Sequence, residues 1–262
     1  MRIGITLPQF RAEAEGAMEV ARRAEAAGLD GVFVFDHMWP LGRPDRPALQ
    51  STVLLGALAA ETERVVVGPL VARVGMVPDA VLVHQLVTVA RIAGPDRFVA
   101  TVGTGDRKNR DENRAYGVAF APVADRVAAL IRVVRHLRAS GVRTWVGGLS
   151  PAMVRAASEA DGWNGWGISP ARLAGYSAQL AALRSPNAAA APRVEVTWAG
   201  QISFGARDEG RPEVVAGGVD VVADHLRAVA ATGAAWAICA PIDIGTRPES
   251  VELLAEAAAA SR

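Results

Sequence analysis

The sequence predicts an α/β fold of the (β/α)8 barrel type, and three observations carry that prediction. Short β-branched apolar runs alternate with Ala-rich helical stretches along the chain, and eight such units fit within its 262 residues. Parallel strands need a crossover of a dozen or more residues, which each helical stretch supplies. Polar and glycine-rich residues gather directly after the apolar runs, at the end of a parallel barrel where active sites lie. Residues 1–262 are expected to form a single domain.

The units follow in order. Residues 3–7 form the first strand, with a helix over 11–27 that ends at Gly28. Residues 32–35 are the second strand and 51–62 its helix. Residues 65–67 are the third, and its helix sets Val83, Leu86, Val87 and Ala90 on one face by i, i+3, i+4, i+7 spacing. The fourth strand, 98–102, precedes a helix with Val127, Leu130, Ile131 and Val134 in the same pattern. The fifth is 144–146, with a short helix over 152–160. "GWNGWG" after Asp161 supplies the sixth strand, before a helix over 170–183. Residues 195–198 and 235–239 complete the set, with helices over 220–231 and 249–260. "RSPNAAAAPR", 184–193, reads as a flexible connector, not a domain boundary, because the βα rhythm resumes after it.

Composition excludes several classes. With 28 basic against 27 acidic residues and a formal charge of +1, neither a nucleic-acid partner nor a membrane surface is expected. The most basic stretch, Arg107-Lys108-Asn109-Arg110, lies between Asp106 and Asp111-Glu112, which cancel its field locally. The lone Cys239, in "AWAICAPI", rules out an internal disulfide and reads as a small buried hydrophobe. "MRIGITLPQF" turns polar too soon for a signal peptide, and no window approaches the ~20 apolar residues of a membrane span. A soluble, cytoplasmic protein is the expectation.

The strand ends carry the candidate chemistry. "GVFVFDHMWP" runs from the second strand into Asp36, His37 and Trp39, either a solvated turn or the rim of a site. Leu70, Val71 and Arg73 follow the third strand, "GTGDRKN" with Gly105 and Asp106 the fourth, and "GGLS" with Gly147, Gly148, Leu149 and Ser150 the fifth. Lys108 stands where a dinucleotide fingerprint needs its third glycine, so that fingerprint is absent. Ser150 is placed to cap a helix starting at Pro151, and a helix N-terminus can take phosphate. All six tryptophans fall in or just after a strand; most are expected to fill the barrel, with Trp39 and Trp166 lining a pocket. His84, His136 and His225 fall on separate helices, and no H-E-x-x-H or Cys pair occurs, so no metal site is expected. An apolar cavity with a phosphate site, an acid and a histidine suits an aromatic redox cofactor.

In this order and spacing, "GITLPQ", "ARRAEAAGLDGVFVFDH", "LAAETERVVVG", "DRFVATVGTGDRKN..EN.AYG" and "WVGGLSPAMVRAASEADGWNGWG" resemble the luciferase-like family of flavin- and deazaflavin-dependent oxidoreductases. The likeness, strongest to the branch that uses coenzyme F420, runs over nearly the whole length. It implies a TIM barrel, a small organic substrate, and hydride transfer to or from F420, with FMN and oxygen in a monooxygenase as the alternative. A homodimer is usual in the family. A non-catalytic flavin-binding or interaction protein is the third reading. By the same resemblance Asp36 contacts the polar edge of the ring system and His37 handles substrate protons. Leu70-Val71 is a bulged, often cis, peptide behind the central ring. Gly105, Asp106 and Asn109 match the family's G-x-G-Glu and following Asn, with Asp106 one methylene shorter than the proton-donating acid. Gly147 and Gly148 match the glycine pair that takes the cofactor phosphate, with Leu149 and Ser150 beside them as further candidates, and Trp166 is a pocket candidate by its position after the sixth strand. Arg73 has no clear family counterpart; it is a candidate anchor for an anionic part of the cofactor, and with Arg107 and Lys108 a candidate for a polyglutamate tail.

Overall fold

The computed structural model describes residues 1–183, 194–205, 211 and 213–262. The expected connector, 184–193, lies outside them. Around the barrel run β1 (Arg2–Thr6), β2 (Gly31–Val34), β3 (Val66–Pro69), β4 (Ala72–Arg73), β5 (Ala100–Gly103), β6 (Thr144–Gly147), β7 (Gly162–Trp166), β8 (Glu195–Ser203) and, after a two-residue β9 (Val215–Ala216), β10 (Trp236–Pro241). Every pairing is parallel, in the order β3-β2-β1-β10-β8-β7-β6-β5-β4, with β9 added beside β8. β4 continues β3 across a cis Leu70-Val71 peptide, and the bridge from Val67 to Phe98 joins β3 to the segment leading into β5. The sheet therefore closes, and β3 with β4 counts as the expected third strand. The cis Leu70-Val71 peptide is the one the family resemblance implies, whereas the extension to Arg73 is not visible in the three-residue run 65–67.

The helices α1 (Glu15–Ala26), α2 (Ser51–Glu61), α3 (Asp79–Ala93), α5 (Val123–Ala139), α6 (Pro151–Ala157), α7 (Pro170–Ala182), α8 (Val219–Ala230) and α9 (Ser250–Ala260) surround it. Between β5 and α5 stands a short extra helix, α4 (Arg110–Ala115), preceded by a 3-10 turn over Arg107–Asn109. The first helix begins four residues later than its apolar pattern suggested, because 7–14 serve as the loop above β1. Ser150 and Ser169 each cap a helix that opens on proline, accepting from Met153 N–H and Arg172 N–H at 3.4 Å. Gly28, at φ 79°, turns the chain from α1 toward β2.

The barrel interior is filled by Phe33, Val66, Leu70, Val99, Trp145, Trp236 and Ile238. Glycines make that filling possible: a Cβ on Gly162 would sit 2.3 Å from Trp145, and one on Gly4 would sit 2.7 Å from Phe33. Glu195 closes the bottom, accepting from Trp145 Nε1 at 3.1 Å and pairing with Arg143, while Arg2 lies over the Trp236 ring at 4.9 Å. Trp163 and Trp198, expected to fill the barrel, instead face the helices. Trp163 packs on Tyr176 with ring centroids 4.9 Å apart, and Trp198 on His225 at 4.7 Å. Strand side chains alternate between the two faces, and these two residues have the outward parity. The indoles and this ion pair plug the N-terminal end of the barrel.

Candidate active site at the C-terminal mouth of the barrel

The loop after β2 is pinned before it does any chemistry. Gln9, fully buried beyond β1, donates from Nε2 to the Phe35 carbonyl at 2.7 Å and accepts the Phe35 N–H at its Oε1. This two-point amide clamp holds Phe35 as a strand neighbour would and fixes where Asp36 and His37 leave the sheet. Asp36 Oδ2 accepts the backbone N–H of Arg73 at 2.7 Å, tying that loop to β4. Burial pushes the Asp36 carboxyl up to about 6, against the opposing pull of the Arg73 N–H and the Arg73 charge.

His37 meets an acid from elsewhere in the chain. Its Nδ1 lies 3.0 Å from Oε1 of Glu112, a fully buried residue of α4. Arg73, 3 % exposed, donates from Nη1 to Glu112 Oε2 at 2.6 Å, and Asn109 Nδ2 donates to the same oxygen at 3.2 Å. Burial works against the Glu112 charge, but the hydrogen bonds from His37 and Arg73 outweigh it and hold the carboxyl below its ordinary range. Arg73 Nε and Nη2 are buried and have no hydrogen-bond partner among the described residues. A Cβ on Gly105 would fall 2.6 Å from Arg73 Cδ, so the glycine is what lets this arginine pass.

A second cluster forms around Val71. A Cβ on Gly103 would lie 2.5 Å from Val71 Cγ2, and one on Gly147 would lie 2.6 Å from Cγ1. Val71 is therefore a ledge seated between two strand ends that bear no side chains. Gly148, at φ 134°, lies against Met153 and accepts Trp163 Nε1–H at its carbonyl at 2.8 Å. Leu149 accepts the Tyr176 hydroxyl at 3.1 Å. Trp166, 37 % exposed, stands edge-on to Phe35 at 5.6 Å, and Phe35 stacks on Phe10 at 5.9 Å. Trp39 stacks on Tyr116 at 6.4 Å, a further tie between the β2 loop and the end of α4.

The fold thus brings Asp36, His37, Arg73, Gly105 and Asn109 into one polar group, and Val71 and Gly147 into an adjoining apolar one. Asp106 does not join as expected. It is exposed, and its Oδ1 accepts the Lys108 N–H at 2.8 Å, capping the 3-10 turn. The acid beside His37 is Glu112, three residues past Asn109. An i, i+3 pair on one helical turn was the available signal, masked by the charged run around it. Arg73 is buried and paired through Nη1 with Glu112, whereas Arg107 and Lys108, the other candidates for a tail, are exposed. Among the described residues, no three His, Cys, Asp or Glu side chains form a metal-binding group, and no helix is long and apolar enough to cross a membrane.

Comparison with known proteins agrees with this architecture. An F420-dependent glucose-6-phosphate dehydrogenase of Kineococcus radiotolerans is 31% identical over 120 residues, covering 46% of this chain and 35% of that protein. The chain thus matches about a third of that relative's length. An F420-dependent secondary alcohol dehydrogenase, solved with an F420-acetone adduct, superposes with a TM-score of 0.75 over 100% of both chains at 15% identity. The FMN-bound oxygenating constituent of 3,6-diketocamphane monooxygenase from Pseudomonas putida superposes at 0.73 over 97% of both, at 14% identity. At such identities the two solved structures speak for the fold. The model of the luciferase-like monooxygenases matches residues 1–238, and the chain belongs to that family.

Proposed function

We propose that the chain is an F420-dependent oxidoreductase that moves a hydride between the deazaflavin and a small organic substrate, with His37 giving or taking the substrate proton. The observation that carries this reading is the partly exposed His37 imidazole, tied through Nδ1 to the buried Glu112 at the C-terminal end of the barrel. The curated relatives named as F420-dependent support the choice of cofactor.

The residues present fit a planar group with polar and anionic edges. Val71, seated against Gly103 and Gly147, offers a flat apolar ledge beside Leu70, and Arg73 brings two donors without a protein partner. When bound, the deazaflavin supplies the two-electron hydride chemistry. Asp36 and Arg73 would hold its polar edge, Gly105 and Asn109 would shape the wall beside it, and Gly147, Gly148, Leu149 and Ser150 would take its phosphate. Phe10, Phe35 and Trp166 would keep water from one flank. His37 would complete the reaction, since a positioned imidazole can give or take a proton as general acid or base. Asp106 is left to cap its turn. A cytoplasmic homodimer with a single domain over 1–262 belongs to the same reading; sedimentation of the purified chain checks the dimer.

The family's monooxygenases and the FMN-bound fold relative support a second reading, a reduced-FMN monooxygenase. Equilibrium titration with F420 and with FMN separates the two. Tighter F420 binding, weakened by charge reversal at Arg107 and Lys108, is expected. Tighter FMN binding would replace the first reading with the second.

A further inference from the structure

We infer that Glu112 is a positioning residue that fixes His37 as the Nδ1–H tautomer, so that Nε2 carries the lone pair. The inference deepens the reading of His37 as the proton-handling group and rests on it for its functional meaning.

The tautomer follows from which groups must accept. Glu112 Oε1 lies 3.0 Å from His37 Nδ1, and a carboxylate oxygen facing a bare ring nitrogen at that distance would set two acceptors against each other. The bond is favourable when Nδ1 carries hydrogen. Glu112 stays ionised because Arg73 donates to its other oxygen at 2.6 Å in a buried setting. One group competes for Nδ1: Asn109 Nδ2, 3.3 Å away, could donate to it and favour the opposite tautomer. The orientation of that amide is itself set, because Asn109 Oδ1 accepts the Asp106 N–H at 2.8 Å. Its Nδ2 has an alternative acceptor in Glu112 Oε2 at 3.2 Å. A charge-assisted bond at 3.0 Å outweighs a neutral amide contact at 3.3 Å, by the usual margin between the two kinds. His37 Nε2 has no protein partner among the described residues, so the lone pair is left for a ligand.

An isosteric substitution tests this without emptying the space. In E112Q, Arg73 still needs an acceptor, so the amide oxygen turns to Arg73 and the NH2 turns to His37. Nδ1 must then accept, and the proton moves to Nε2. The readout is long-range 1H–15N correlation of histidine-labelled protein without cofactor, recorded in alkaline buffer so that the neutral ring is observed, with H37N identifying the resonances. The wild type is expected to show Nδ1–H, E112D to keep it, and E112Q to show Nε2–H. Acylation of Nε2 by diethyl pyrocarbonate should slow about tenfold in E112Q, in line with the strength of a hydrogen bond to a charged group. A wild-type spectrum with Nε2–H, or an E112Q spectrum like the wild type's, would overturn the inference. Should E112Q not fold, the wild-type and E112D spectra still decide. Because the tautomer is read without substrate, a failure here is distinct from full activity in a variant lacking His37.

Discussion

Arg73 and Glu112 meet at 2.6 Å, between Nη1 and Oε2, with the arginine 3 % exposed and the carboxylate fully buried. Burying two charges costs solvation that their attraction only just repays, but removing one partner strands the other. Arg73→Ala should therefore destabilise the fold by about 3–5 kcal/mol. Urea denaturation measures it, and adding E112Q to the same chain should recover part of the loss, because the stranded charge is then gone. Fully additive losses would show that the pair does not act as a unit.

His37→Ala leaves the Val71 ledge, Arg73 and the Gly147 loop in place. It should keep F420 affinity within a few fold while turnover falls by about 10²–10⁴, the usual range for a positioned acid or base. Unchanged turnover would remove His37 from the reaction.

Asp36 makes stability depend on pH with a definite sign. Its carboxyl is pushed up to about 6 in the fold, against 3.8 when free, so between those values the folded state binds more protons than the unfolded one. Its contribution is favourable in acid and is lost as pH rises through about 6. Asp36→Asn keeps an acceptor for the Arg73 N–H and removes the charge. It should raise stability on the order of 1–3 kcal/mol at neutral pH, as a displacement of about two pH units implies, and leave stability near pH 4 nearly unchanged. Glu112 acts in the opposite sense, since its lowered pKa stabilises the fold above the ordinary carboxylate range and that gain is lost as pH falls. Melting curves across pH for the wild type and D36N separate the two contributions.

Gly147→Ala would place a methyl 2.6 Å from Val71 Cγ1. Overpacking of that kind costs about 1–3 kcal/mol and should push the ledge out of place. Weaker F420 binding, restored in part by Val71→Ala in the same chain, is the expected pattern. If G147A binds as the wild type does, the ledge is not part of the cofactor site.

Cys239 is buried in β10, and burial pushes its thiol up to about 12. Native protein should resist Ellman's reagent and react at once when unfolded. Reaction in the native state at the rate of a free thiol would contradict the packing of β10.

Much of the barrel was legible in the chain, because its strands are buried on both faces and show as near-continuous apolar runs between helical periods. The run 32–35 and the Ser-Pro helix start at Ser150 are of this kind: each signal is local, lying within a few residues of the element it specifies. The mouth was legible in part. Asp36 and His37 stand out because an acid and an imidazole end an apolar strand. Glu112 does not stand out, since it sits in a charged run like any solvated helix face.

The sequence by itself determined the alternation of strand and helix, and with it which loops would gather at one end. Tertiary structure alone decided which acid meets His37, and it chose Glu112 over Asp106. It also carried Arg73 inward beside that acid, and turned Trp163 and Trp198 outward while Trp145 and Trp236 filled the barrel. The reason is that each of those outcomes depends on partners outside the local run, from Trp163 with Gly148, 15 positions apart, to His37 with Glu112, 75 apart. Sequence periodicity reports the face on which a residue lies, and closure of the sheet decides what that face meets.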